Sequence, residues 1–258
     1  MARSPITIKN ETEIQRMRDA GRVVSLIHAR IEDAIGPGVT TAALDAIARD
    51  TLAEFGATSS FLGYHGFPGH ICASVNDEIV HGIPGPRQLQ DGDIISVDVG
   101  AIVNRYHGDS AWTYPVGTVT AIAENLLQET ERSLMAAIAA VQPGNRLGAI
   151  GHAVEQYASA KGYGIVREYG GHGIGRQMHE DPHVPNHGDP NRGPVLRPGM
   201  SLAIEPMLTS GGEDTRVLAD RWTVVTADGS LAAHFEHTVV VTPAGAEILT
   251  QRLSTVLQ

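Results

Sequence analysis

Sulfur is almost missing from the polar chemistry of this 258-residue chain, which has a single cysteine, Cys72. One thiol excludes an internal disulfide framework and fits a reducing compartment. Basic residues are also scarce: 19 Lys and Arg against 29 Asp and Glu give a net charge of −10. That balance argues against nucleic acid as a main partner, because phosphate contacts need clustered cations. No apolar run approaches the ~18 residues of a membrane span. The opening stretch MARSPITIKNETEIQRMRDAG has no apolar core of a signal peptide. A cytoplasmic protein is expected, and Asn10-Glu11-Thr12 is then a chance sequon. The chain also has no G-x-S-x-G nucleophile motif and no G-x-G-x-x-G phosphate loop.

What the chain does have is acid in apolar surroundings. Asp98, Glu205 and Glu236 lie in or beside the runs IISVDVG, MSLAIEPM and FEHTVVV, and Asp109 stands just before AWTY. A buried charge without a partner is very costly. With His172 these acids make a set of five hard or borderline donors that a pair of divalent cations would neutralise together.

The chain also resembles itself. Ile35-Gly36-Pro37-Gly38 opens a helical pattern ending at Gly56, and Val141-Gln142-Pro143-Gly144 opens another ending at Gly162. LQDGDIISVDVG (89–100) aligns with LRPGMSLAIEPM (196–207), setting Asp98 over Glu205. HGDSAWTYPVG aligns roughly with HFEHTVVVTPAG, setting Asp109 over Glu236. Strand alternation puts Asp98 on the face of Ile94 and Ser96, and Glu205 on the face of Ser201 and Ala203. Two similar halves, roughly 11–117 and 121–245, would meet at a pseudo-two-fold axis within one domain spanning 1–258.

Helices are expected over 11–35, 40–55, 122–141 and 146–161, with Thr40 or Thr41 as N-cap and Gly56 as terminator of the second. Strands are expected near 93–100, 110–116, 164–170, 200–208, 221–226 and 236–242. FLGYHGFPGHICASVNDEIVHGIPG reads as strand, turn and hairpin, and 179–199 as a loop. Helices followed by strands, twice over, argue an α+β fold rather than a doubly wound sheet. His179-Glu180-Asp181-Pro182-His183 matches H-E-x-x-H in letters, but Pro182 and Pro185 would break the helix that motif requires. Four carboxylates and one imidazole favour Mn, Fe or Co over a thiolate zinc site. They nearly balance two divalent charges, and metals ~3.5 Å apart activate water while polarising a carbonyl, as amide hydrolysis needs.

The segments SVNDEIVHGIP, LGYHGFP, ISVDVG with HGDSAWT, GGHGIG with His179, LAIEPM, DGSLAAHFEHT and Trp222 resemble the type I methionine aminopeptidases, metallopeptidases of the pita-bread fold. The resemblance covers nearly the whole chain. It implies that Asp98 binds one metal in bidentate fashion, that Asp109 and Glu236 bridge both, and that His172 and Glu205 complete the second site. Zn or Ni could replace Co, Mn or Fe there. It further implies that His81 and His179 contact the scissile amide, that Glu205 is a proton shuttle, and that Tyr64, Phe67, Cys72, Met178 and Trp222 line a methionine pocket, with Phe61 nearby. A thioether packs well on aromatic edges and sulfur. Phe61, Phe67 and Met178 depart from the family's usual residues, and so does the stretch HGDPNRGPVL.

The implied activity is removal of the initiator methionine from nascent polypeptides with a small second residue. The chain's own Met1-Ala2 would qualify. The enzyme would be a monomer, with no more than transient ribosome contact. X-Pro aminopeptidases and prolidases share the metal set but usually carry an extra N-terminal domain. A type II enzyme would have a long insertion between His179 and Glu205. A non-catalytic binding protein on this scaffold would be expected to lose ligands, and here all five are present.

Overall fold

A computed structural model describes residues 6–253, so Met1-Ala2 lies outside the described residues. The first helix, α1 (Glu11–Ala34), starts where Asn10 accepts the Glu13 N–H and the Glu13 carboxylate accepts the Asn10 N–H. This reciprocal cap satisfies two backbone donors that a helix start otherwise orphans. Its apolar stripe of Ile14, Met17, Val24, Ile27 and Ile31 is buried. Thr40 caps α2 (Thr41–Glu54) and Thr120 caps α3 (Ala121–Ala139), while α4 (Gly148–Lys161) ends on the left-handed Gly162. All four helices fall where the sequence periodicity puts them.

Fifteen short strands, all pairing antiparallel, complete the α+β architecture among the described residues. One sheet joins β1 (Thr58–Ser59), β2 (Ile71–Val75), β4 (Ile94–Val103) and β5 (Tyr106–Pro115). A second joins β7 (Gly170–Gly173), β8 (Glu180–Pro185), β9 (Ser201–Ile204), β14 (His237–Thr242) and β15 (Gly245–Ile248). Two small sheets flank these: β3 (Glu78–Val80) with β11 (Thr215–Val217) and β12 (Val224–Thr226), and β6 (Gly164–Ile165) with β10 (Met207–Thr209) and β13 (Ala232–His234). The order two helices, then strands, occurs twice along the chain.

Four expectations need correction. Segment 179–199 is not all loop, because β8 occupies its start as the edge of the five-stranded sheet, where prolines cost little. The expected strand over 164–170 stops at Ile165, and the sheet is instead entered by Gly170–Gly173. The run 200–208 breaks after Ile204 and resumes at Met207. The expected strand, turn and hairpin over 61–85 forms a turn at Asn76, but its arms share a backbone bond only from Ala73 to Gly82 and find their strand partners elsewhere: β2 joins β4, while β3 joins β12.

The two larger sheets meet along β5 and the segment leading into β14, and side-chain hydroxyls stitch that seam. Ser110 Oγ donates to the Glu236 carbonyl at 2.6 Å, and Thr238 Oγ1 donates to the Asp109 carbonyl at 2.8 Å. In return, Thr238 Oγ1 accepts the Asp109 N–H, and the Glu236 N–H donates to the Ala111 carbonyl at 2.8 Å. The helices lie outside this layer. Helix α1 approaches β5 closely enough that a Cβ at Gly108 would sit 2.7 Å from the Gly21 nitrogen.

Candidate metal centre

Each of the five sequence-selected donors sits at this seam or on the strands beside it. Asp98 is central in β4, opposite Cys72 on one side and Ala111 on the other. Asp109 lies in β5 opposite Gly100. His172 lies in β7 between Ala203 and His183. Its neighbour Gly171 has no room for a side chain, since a Cβ would fall 2.2 Å from the Ala203 carbonyl oxygen. Glu205 follows β9 by one residue, and Glu236 occupies the break between β13 and β14. The matched acids of the two halves therefore differ in setting: Asp98 is within a strand and Glu205 is past the end of one.

Donor atoms of Asp109, His172 and Glu236 all lie within 4.8 Å of one another. His172 Nε2 is 3.8 Å from Asp109 Oδ2 and 3.6 Å from Glu205 Oε1. Its Nδ1 is 2.9 Å from the Gly173 carbonyl. A carbonyl can only accept, so Nδ1 carries the hydrogen and Nε2 turns its lone pair to the acids. Among the described residues, these four carboxylates have no Lys or Arg partner; the contacts to Asp109 and Glu205 come from histidines. Asp98 Oδ1, Asp109 Oδ1 and Glu236 Oε1 are sealed from solvent without a hydrogen-bond partner. Buried acids that repel one another, lack cations and leave oxygens unpaired fit a divalent metal site.

The proton equilibria reflect the same crowding. Burial first, and neighbouring carboxylates second, push Asp109 and Glu236 well above the usual carboxylate range. Burial raises Asp98 to about 7, opposed by His234. Glu205 is pushed up by burial too, but His234 and His172 outweigh this and hold it below its ordinary value.

Over the acids lies a cavity of about 230 Å³. That is below the ~300–1,000 Å³ of pockets for drug-sized ligands, and suits one side chain. Phe61, Phe67, Cys72 and Met178 pack as one apolar cluster, joined by Tyr64, Ile83 and Trp222. Phe67 meets Trp222 edge-on with centroids 5.1 Å apart. Cys72 is buried, and that burial pushes its thiol well up, so it is wall rather than nucleophile.

His179 and His81 border the cavity beside the acids. The His179 ring lies 4.1 Å from that of His172, with Nδ1 2.8 Å from the Tyr64 hydroxyl. Burial, then His172, lowers its pKa to about 4, and burial lowers His81 as well. His81 adopts a left-handed backbone, φ +61°, and faces Trp222 and Tyr169 edge-on.

All twelve sequence-selected residues thus line one cavity. Three more belong to the neighbourhood and were not selected. His65 lines the same cavity and Ile83 backs the apolar cluster. His234 is 98% buried, with Nε2 3.6 Å from Glu205 Oε2. A histidine within AAHFEHT offers no periodic signal of its own. Only its place two residues before Glu236 could have drawn attention to it.

Residues 15–243 match the model of metallopeptidase family M24. "Methionine aminopeptidase 1" of Bacillus subtilis is 52% identical over 95% of this chain and 99% of its own length. A crystal structure of methionine aminopeptidase from Thermotoga maritima has TM-score 0.95 at 42% identity, covering 96% of this chain and all of that one. The prolidase of Pyrococcus horikoshii has TM-score 0.77 at 20% identity, covering 98% of this chain and 65% of that one, and shares the pita-bread fold alone. The chain belongs to metallopeptidase family M24 and, within it, to the methionine aminopeptidases.

Proposed function

We propose that the chain removes the N-terminal methionine from nascent polypeptides whose second residue is small, using two divalent metals. One observation supports this reading: four carboxylates without Lys or Arg partners, with Asp109 and Glu236 buried, line together with His172 a cavity sized for one apolar side chain. The two repeats would act as a single catalytic domain, each supplying ligands. Asp98, Asp109, His172, Glu205 and Glu236 would together hold the two metals. A metal pair so held supplies Lewis-acid polarisation of the scissile carbonyl and activates water.

The chain's own groups then divide the remaining work. Tyr64, Phe67, Cys72, Met178 and Trp222 receive the methionine thioether, which fixes the scissile amide over the acids. With the Tyr64 hydroxyl donating to Nδ1, His179 keeps its hydrogen on Nε2 as a neutral donor to the developing oxyanion. His81 contacts the amide from the other side. Glu205 passes a proton toward the departing amine. In this reading the enzyme is a cytoplasmic monomer that meets the ribosome transiently. No helix among the described residues is long and apolar enough to cross a membrane.

Metal-stripped protein reloaded separately with Co, Mn, Fe, Zn or Ni should cleave Met-Ala-x peptides. It should leave Met-Lys-x, Leu-Ala-x and x-Pro peptides nearly untouched. Turnover without metal, or preference for x-Pro, would overturn the reading.

A further inference from the structure

Among the described residues, five buried side-chain polar atoms lack a hydrogen-bond partner, and three are oxygens of the proposed ligands Asp98, Asp109 and Glu236. A fourth is Nε2 of His234. Its position is fixed through the backbone. The His234 N–H donates to Thr113 Oγ1 at 2.9 Å, the Thr113 hydroxyl donates to the His234 carbonyl at 2.9 Å, and β13 pairs His234 with Met207. The imidazole is buried behind Glu205 and is not among the residues lining the cavity.

The Glu205 carboxylate consequently sits between two imidazoles. Oε1 is 3.6 Å from His172 Nε2, and Oε2 is 3.6 Å from His234 Nε2. Neither spacing is a hydrogen bond. The two rings differ in role, however. His172 joins the cluster of donor atoms within 4.8 Å, whereas His234 belongs to no such cluster. Rotation of Glu205 or His234 by under about 1 Å would bring Nε2 and Oε2 to hydrogen-bond length.

We infer that His234 is a positioning residue for Glu205: its Nε2–H donates to Oε2 and so turns Oε1 toward the metal that His172 also holds. Ligating carboxylates are commonly fixed by such outer hydrogen bonds, and losing one typically costs ~10–100-fold in metal affinity or activity. The inference rests on Glu205 being a metal ligand.

The test is calorimetric titration of metal-free protein with Co(II), together with the visible spectrum of the loaded protein, which reports ligand geometry. His234→Leu and His234→Phe remove the donor and keep apolar bulk. His234→Gln keeps an N–H. The apolar variants should lose affinity at one of two sites by about 10–100-fold and change the spectrum, while His234→Gln should stay within about threefold of wild type. Two unchanged sites and an unchanged spectrum in the apolar variants would overturn the inference. So would a His234→Gln protein as damaged as His234→Leu, which would make the imidazole a ligand. If neither apolar variant folds, His234→Gln alone decides: retained affinity and spectrum support donation, and their loss overturns it. Wild-type protein that binds no Co(II) would instead fail the metal-centre reading itself.

Discussion

The Tyr64 hydroxyl lies 2.8 Å from His179 Nδ1, with the two rings stacked 5.4 Å apart. A residue of the proposed methionine pocket thereby holds the imidazole proposed to meet the oxyanion, so in that reading binding of the side chain and stabilisation of the transition state share one contact. Tyr64→Phe should lower kcat about threefold to tenfold on Met-Ala-x peptides, the scale of one neutral hydrogen bond, and leave KM nearly unchanged. Steady-state kinetics would refute this if KM alone moved.

Asp98→Asn and Glu236→Gln should each abolish turnover without unfolding the chain. Because Glu236 is buried among like charges, Glu236→Gln should stabilise metal-free protein at pH 8. It should also erase much of the rise in melting temperature that added metal gives wild type. Urea unfolding with and without metal checks both. A destabilised metal-free variant would show that the acids are held by something other than a cation.

Lys9 Nζ lies 2.6 Å from Glu180 Oε2, with side-chain exposures of 5% and 11%. The other Glu180 oxygen accepts the N–H groups of Arg176 and Gln177, closing the turn that leads into His179. Lys9→Met leaves the largely buried Glu180 carboxylate without its cation, only the Thr7 hydroxyl remaining on Oε2, and should cost about 3–5 kcal/mol in chemical denaturation. Adding Glu180→Gln should recover part of that loss. A double variant no better than the single would place the cost in packing.

Acid lability should trace in part to His28. Its Nε2 faces the Ser110 carbonyl at 2.9 Å, so that nitrogen carries the hydrogen, and Nδ1 accepts from the Tyr114 hydroxyl at 2.9 Å. Only the bond from Tyr114 requires the neutral ring, since Nδ1 must keep its lone pair to accept. Burial, opposed by the Ser110 contact and aided by Arg252, lowers the pKa from 6.5 to about 4. Between those values the unfolded chain binds the extra proton, so stability is complete above pH 6.5 and falls as pH drops toward 4. The loss should reach about 3 kcal/mol. In metal-free protein, His28→Gln should show a shallower decline over this range, and an identical slope would assign the lability elsewhere.

The helices and the acid set were legible because each leaves a local mark. Caps such as Asn10 and Thr40 sit where side-chain oxygen is needed, and Asp98 and Glu205 interrupt apolar runs that have no other reason to contain acid. The strands around His172 left no such mark. Gly170–Gly173 has no strand-forming residue but His172, and its glycines answer to the nearby Ala203 carbonyl, a neighbour distant in sequence. The β8 prolines signal a loop to local rules, yet an edge strand with a free side accommodates them. His234 was passed over because its importance lies in what it faces, Glu205, 29 residues earlier. The pairing of Tyr64 with His179, 115 residues apart, was beyond local reading for the same reason.

The hydroxyl seam of Ser110 and Thr238 ties Asp109 and Glu236 together from the two halves of the chain. Severing the polypeptide near Val119, between β5 and α3, would therefore yield two fragments, each with only part of the proposed ligand set. Tight cation uptake would then gauge reassociation of the fragments, appearing only upon mixing and vanishing again if Ser110 and Thr238 were both replaced by alanine.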